Sequence, residues 1–140
     1  MSAQENKQLA RTIYEQFNNN EFDRVLEQTV EDVKIVLVPA GQTIEGHEGF
    51  RQFMGGFKTA FPNISLEITN QVATNDQVVS EFIARGDHTG PLQSPNGEIP
   101  ATGRHAEWEV CEVWQVRDDK LAQITNYQDT ATMLGQLGLL

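Results

Sequence analysis

Gly86-Asp87-His88-Thr89-Gly90-Pro91-Leu92, resumed at Ile99-Pro100-Ala101-Thr102-Gly103-Arg104, joins the two runs that decide the architecture of this chain. A histidine closes one alternating run, a loop dense in Gly and Pro follows, and a second alternating run begins. Upstream, Val78, Ser80, Phe82, Ala84 and Gly86 share one parity, and Val79, Glu81, Ile83, Arg85 and Asp87 the other. Downstream, Ala106, Trp108, Val110 and Trp114 alternate with His105, Glu107, Glu109 and Gln115. A period of two between apolar and polar residues marks half-buried antiparallel strands.

The neighbouring segments extend the pattern. Ile64, Leu66 and Ile68 alternate before the first run, and a further strand runs from Leu121 to about Gln128. Thr74-Asn75-Asp76 and Arg117-Asp118-Asp119-Lys120 have the length and composition of hairpin links. A meander puts both links at one end of the sheet and gathers His88, His105 and Asp129 at the other. The connection from Thr89 to Arg104 crosses that second end. Its prolines and glycines predict a loop without regular structure, of a length often used for lids and binding loops. The same register places Val79, Ile83, Cys111 and Val113 on the outer strand faces, where they need cover, so a homodimer is expected.

Helical periods occupy the rest. Ser2 and Glu5 form a capping box before a stripe of Leu9, Ala10, Ile13, Tyr14 and Phe17. A short helix around Phe22, Val25 and Leu26, capped by Asn20, precedes a strand from Val33 to Val38. Phe50, Phe53, Met54, Phe57 and Phe61 then mark a helix ending at Pro62, with Gly55-Gly56 inside it for close backbone approach or a slight bend. Met133, Leu134 and Leu137 mark a last helix. The order ααβαββββα is an α+β arrangement, a curved sheet packed against N-terminal helices, in a single domain over 1–140.

Composition narrows the function. A formal net charge of −10 disfavours nucleic acid, whose phosphates need clustered Lys and Arg. The single cysteine, Cys111, rules out an intrachain disulfide and a cysteine metal cluster. Glu45-Gly46-His47-Glu48 lacks a second histidine at helical spacing, so it reads as a helix start and no metal site is expected. No membrane span and no apolar leader are found, and a cytoplasmic protein is expected.

Three ionisable residues stand out. His88 continues the charge-free face of its strand and either moves protons near neutrality or donates to a loop carbonyl. Asp129, between the last strand and the last helix, is either an N-cap or a general acid/base at a pocket mouth, and one rotamer does not fill both roles. Glu112 interrupts the register of Trp108, Val110 and Trp114. A bulge that turns it outward is the expectation; inward, it is a buried acid and a functional candidate. Tyr14, Phe53, Phe57, Trp108 and Trp114 belong to an aromatic set that builds a core or lines an apolar cavity.

These segments, with Tyr127-Gln128-Asp129 and Gln136-Leu137-Gly138-Leu139, resemble the SnoaL-like polyketide cyclases of the nuclear-transport-factor-2-like superfamily. The resemblance implies a cone-shaped α+β barrel with a deep apolar pocket, usually a homodimer. It also implies ring closure by intramolecular aldol condensation without metal or organic cofactor. By position, Asp129 matches the family's acid/base and His88 its histidine ahead of Thr-Gly. The chain departs from the family in the longer loop Gln93 to Glu98, in Thr125 where tryptophan is common, and in Gln123-Ile124. Two functions follow: a cyclase or isomerase of small apolar carbonyl compounds, or a non-catalytic module on the same scaffold that binds a hydrophobic metabolite or dimerises.

Overall fold

The computed structural model describes residues 1–140. Helix α1 (Ala3–Asn18) opens on the expected capping box: Ser2 Oγ accepts from Glu5 N–H, and Glu5 Oε1 accepts from Ser2 N–H, each at 3.1 Å. Its buried stripe of Ala10, Ile13, Tyr14 and Phe17 faces the sheet. Helix α2 (Phe22–Glu27) follows without a side-chain cap; Asn20 instead takes a left-handed turn at φ 61°.

Strand β1 (Thr29–Leu37) begins four residues earlier than the sequence suggests, and a single 3-10 turn (Val38–Ala40) leads to β2 (Gln42–Glu45). Sequence reasoning missed β2 because it is four residues long, mostly polar and at the sheet edge. Helix α3 (Gly46–Ala60) buries Phe50, Met54 and Ala60 and leaves Phe53 and Phe57 half-buried. Gly55 and Gly56 serve no close approach, since a Cβ at either would meet nothing within 4 Å. The tight approach lies at Gly90, where a Cβ would sit 2.0 Å from the Thr59 carbonyl oxygen.

Strands β3 (Ser65–Ala73), β4 (Gln77–Asp87), β7 (His105–Arg117) and β8 (Lys120–Gln128) form the expected antiparallel meander. β1 adds in parallel to β8, giving the sheet order β2-β1-β8-β7-β4-β3. The Thr89–Arg104 connection is not structureless. It carries a two-stranded hairpin, β5 (Leu92–Ser94) and β6 (Gly97–Ile99), turning at Pro95-Asn96. Helix α4 (Thr130–Gln136) closes the chain.

Alternation sorts the strands as read: Val78, Phe82 and Ala84 of β4 and Trp108, Val110 and Trp114 of β7 are all buried. Burying such side chains contributes about 1.5–3 kcal/mol each, so the inner face of the sheet is the main source of stability. No helix is long and apolar enough to cross a membrane.

Candidate active site

α1 and α3 do not close fully on the inner sheet face. Between them lies an apolar cavity with an open mouth, enclosing ≈ 570 Å³ when the solvent space at that mouth is included. Phe53, Phe57, Trp108 and Trp114 line it, with Tyr14 and Glu112 among them. Nearly all the wall is apolar; Glu112, Asn126 and Gln128 are the polar exceptions.

Glu112 faces inward. β7 pairs without irregularity past this residue, and its bulge falls later, between Gln115 and Val116, so nothing rotates the carboxylate outward. Its Oε1 accepts from Tyr14 Oη–H at 2.7 Å and Trp114 Nε1–H at 3.1 Å; its Oε2 accepts from Asn126 Nδ2–H at 2.6 Å. Asn126 is its directly opposed partner on β8. Burial raises the Glu112 pKa, while the donors Asn126, Tyr14 and Trp114 hold it down. Burial, and then the adjacent Glu112, push the Tyr14 phenol well above its ordinary value, so Tyr14 remains an O–H donor.

Asp129 stands elsewhere. Its Oδ1 accepts from Thr132 N–H at 3.0 Å and its Oδ2 from Thr132 Oγ1–H at 2.6 Å, so the carboxylate caps α4. Exposed to solvent, it shares a shallow outer cleft with Glu81, Glu109, Cys111 and Tyr127, and those hydrogen bonds lower its pKa, the Thr132 hydroxyl most.

His88 is fully buried on the inner side, its ring tilted by 35° against Phe61 at 5.3 Å. Its Nδ1 lies 2.9 Å from Thr102 Oγ1 and 3.2 Å from the Thr102 amide nitrogen, while Nε2 is buried without a partner. Burial lowers its pKa and favours the neutral ring. With His88 N–H donating to the Arg104 carbonyl and Gly103 N–H to the His88 carbonyl, both at 2.8 Å, the residue clamps the base of the hairpin arm.

His88 and Asp129 therefore do not meet. The meander brings their strand ends to the same side, but β8 is shorter: Asp129 N–H reaches the Glu109 carbonyl, five residues inside Arg104, whose carbonyl accepts the His88 N–H. At about 3.3 Å per residue that stagger is roughly 16 Å, and the two side chains lie on opposite faces of the sheet. His105 joins Asp87 and Glu107 in an exposed group outside the cavity, where first Glu107 and then Asp87 raise its pKa.

Sequence reasoning missed Asn126 and Gln128. Their signal is parity: with Ile124 they occupy every second position of β8, in register with Trp114, Glu112 and Val110.

A curved sheet with helices enclosing an apolar cavity and one buried acid is a nuclear-transport-factor-2-like architecture. The sequence profile of the SnoaL-like polyketide cyclase family matches residues 7–137, and the chain belongs to that family. Among solved structures it is similar to a candidate SnoaL-like polyketide cyclase from Jannaschia sp. CCS1, with TM-score 0.87 and 15% identity over 99% of this chain and 94% of that one. It is also similar to IdmH from Streptomyces antibioticus, a candidate polyketide cyclase, with TM-score 0.80 and 26% identity over 94% of this chain and 97% of that one. AclR from Streptomyces galilaeus, a candidate hydroxylase, aligns with TM-score 0.84 and 20% identity over 99% of this chain and 88% of that one. A search of functionally curated proteins found no match.

Proposed function

We propose that this protein closes or isomerises a small, largely apolar carbonyl compound of polyketide type, with Glu112 as its proton-transfer group. One observation carries the reading: a buried acid, pKa raised by desolvation, faces a cavity whose wall is otherwise almost wholly apolar. In an aldol closure Glu112 takes a proton from a carbon flanked by carbonyls. That carbon's electron pair forms a C–C bond to a second carbonyl of the same molecule, and the resulting alkoxide recovers the proton from Glu112. A base with a pKa moved toward neutrality suits both proton transfers. As written, the cycle uses no metal or organic cofactor. Asp129 and His88 act outside it, as helix cap and loop clamp.

The test is ring closure of an aromatic poly-β-ketone ester, followed chromatographically. The wild type forms cyclised product; Glu112→Gln keeps the fold and loses a factor of about 10²–10⁴, the range for a positioned acid/base. Full turnover by Glu112→Gln overturns the assignment.

One observation favours a second reading, a non-catalytic binding module: three donors already occupy the Glu112 carboxylate. Native mass spectrometry that finds a co-purified apolar ligand released unchanged supports that module. Half-exposed Val79, Ile83, Cys111 and Val113, with exposed Val72 and Tyr127, further support a homodimer through the outer sheet face. A monomer by light scattering would count against the dimer.

A further inference from the structure

One indole, that of Trp108, sets the direction of the amide chain that reaches Glu112. An indole N–H only donates, so Trp108 Nε1–H at 2.9 Å requires Gln128 to present Oε1. The Gln128 amide nitrogen then faces Asn126 and donates to its Oδ1 at 2.9 Å. The Asn126 nitrogen in turn donates to Glu112 Oε2 at 2.6 Å. Neither amide can reverse without setting an amide nitrogen against an N–H donor. On the other oxygen, Tyr14 and the second indole, Trp114, also donate. Three groups thus point their donors along one path to Oε2, two more donate to Oε1 directly, and both oxygens have only to accept.

Strand register builds the relay. Asn126 lies directly opposite Glu112, Gln128 opposite Val110, and Trp108 diagonal to Gln128 on the same inner face. No cation offsets the charge. Among the groups packed around the carboxylate, α1 supplies Tyr14, β4 the neutral Ser80 and β8 the neutral Asn126, while Cys111 and Glu81 lie on the outer side.

We propose that Trp108, Gln128 and Asn126 form a one-way hydrogen-bond relay that holds Glu112 as a carboxylate. Asn126 and Gln128 are positioning residues, and Trp108 is the anchor that prevents both amides from flipping. A carboxyl group in an apolar pocket with free amides would keep its proton, because a flipped Asn126 oxygen accepts from it. With the amides fixed, the protonated acid finds no acceptor there. The functional meaning of the relay rests on Glu112 being the pocket base.

The test does not use turnover. With ¹³C-labelled glutamate, the side-chain carboxyl resonance of Glu112, assigned by its loss in Glu112→Gln, is titrated in the wild-type chain and in three variants. Asn126→Leu removes the direct donor, Gln128→Met breaks the relay one step further out, and Trp108→Phe removes the anchoring N–H together with part of a buried ring system. Asn126→Leu is expected to raise the Glu112 midpoint by about one pH unit or more, the equivalent of one charge-assisted hydrogen bond. Gln128→Met and Trp108→Phe, neither of which touches Glu112, are expected to raise it by a smaller, clearly resolved amount.

Unchanged midpoints in both Gln128→Met and Trp108→Phe, alongside a raised one in Asn126→Leu, overturn the relay and leave Asn126 acting alone. Unchanged midpoints in all three overturn it outright. Gln128→Met lies at the half-exposed end of the strand and keeps the measurement available if Asn126→Leu does not fold. A chain that lacks cyclase activity yet shifts its midpoint as stated retains the relay and loses the cyclase assignment, so the two failures are separate.

Discussion

Replacing Tyr14 by Phe removes a single oxygen and keeps the ring that packs on Phe82 and Trp114, each at 4.9 Å. The loss falls on Glu112 Oε1, which then has only the Trp114 indole as donor. A hydrogen bond to a charged group contributes about 1.5–3 kcal/mol, against roughly 1 kcal/mol between neutral partners. The deficit should therefore follow the ionisation of Glu112. Burial raises this pKa above the ordinary glutamate value of 4.5, so between 4.5 and the folded value the native state holds the extra proton. Stability consequently falls as pH climbs through that window. Removing a donor lifts the folded value further.

Wild type and Tyr14→Phe should thus differ by roughly 1 kcal/mol or less on the acid side and by about 1.5–3 kcal/mol above the folded pKa. Urea unfolding at a mildly acid and a mildly alkaline pH measures both gaps. Repeating it in a Glu112→Gln background should shrink the alkaline gap to the neutral value. A gap of the same size at both pH values, or one untouched by Glu112→Gln, would refute a charged Glu112 as the partner of Tyr14.

Other consequences are equally open to measurement. Asp129→Ala should lower urea stability as a lost N-cap. Because hydrogen bonds depress the Asp129 pKa, that contribution is present above the ordinary aspartate range and lost as pH falls through the folded value. Gly90→Ala should destabilise by about 1–3 kcal/mol, since its Cβ meets the backbone of Thr59, whereas Gly55→Ala should stabilise the α3 helix by roughly 1 kcal/mol; one urea series reads both. Burial keeps His88 neutral, so below its unfolded value of 6.5 the unfolded chain takes up a proton that the native chain refuses, and stability drops with pH. The protection factor of the Thr102 amide, its exchange rate relative to the unstructured rate at the same pH, should fall on the same acid side, and His88→Gln should flatten that dependence.

The sheet was legible because β4 and β7 alternate cleanly and their hairpin links are short. β2 escaped because four mostly polar residues at an edge carry no period. The β5–β6 hairpin escaped because Pro95 read as a breaker, although Pro95-Asn96 ahead of Gly97 at φ 113° is a turn between paired residues Ser94 and Gly97. The cavity wall was legible from the aromatic stripes of α1, α3 and β7. The chemistry was not, for two physical reasons. Strand lengths cannot be compared across a long connection, so the stagger that separates Asp129 from His88 was invisible. Polar residues on an inward parity look like errors until their partners are seen, and Glu112, Asn126 and Gln128 are intelligible only as one network on paired strands.

The claim that proton transfer belongs to Glu112 inside the cavity, and not to Asp129 on the outer face, is tested most directly by deuterium wash-in. An aromatic β-diketone incubated with protein in heavy water exchanges its central C–H at a rate that NMR reads before any ring closes. Glu112→Gln should reduce protein-catalysed exchange to the background rate while Asp129→Asn leaves it at the wild-type rate. Exchange that survives in Glu112→Gln and disappears in Asp129→Asn would contradict the account.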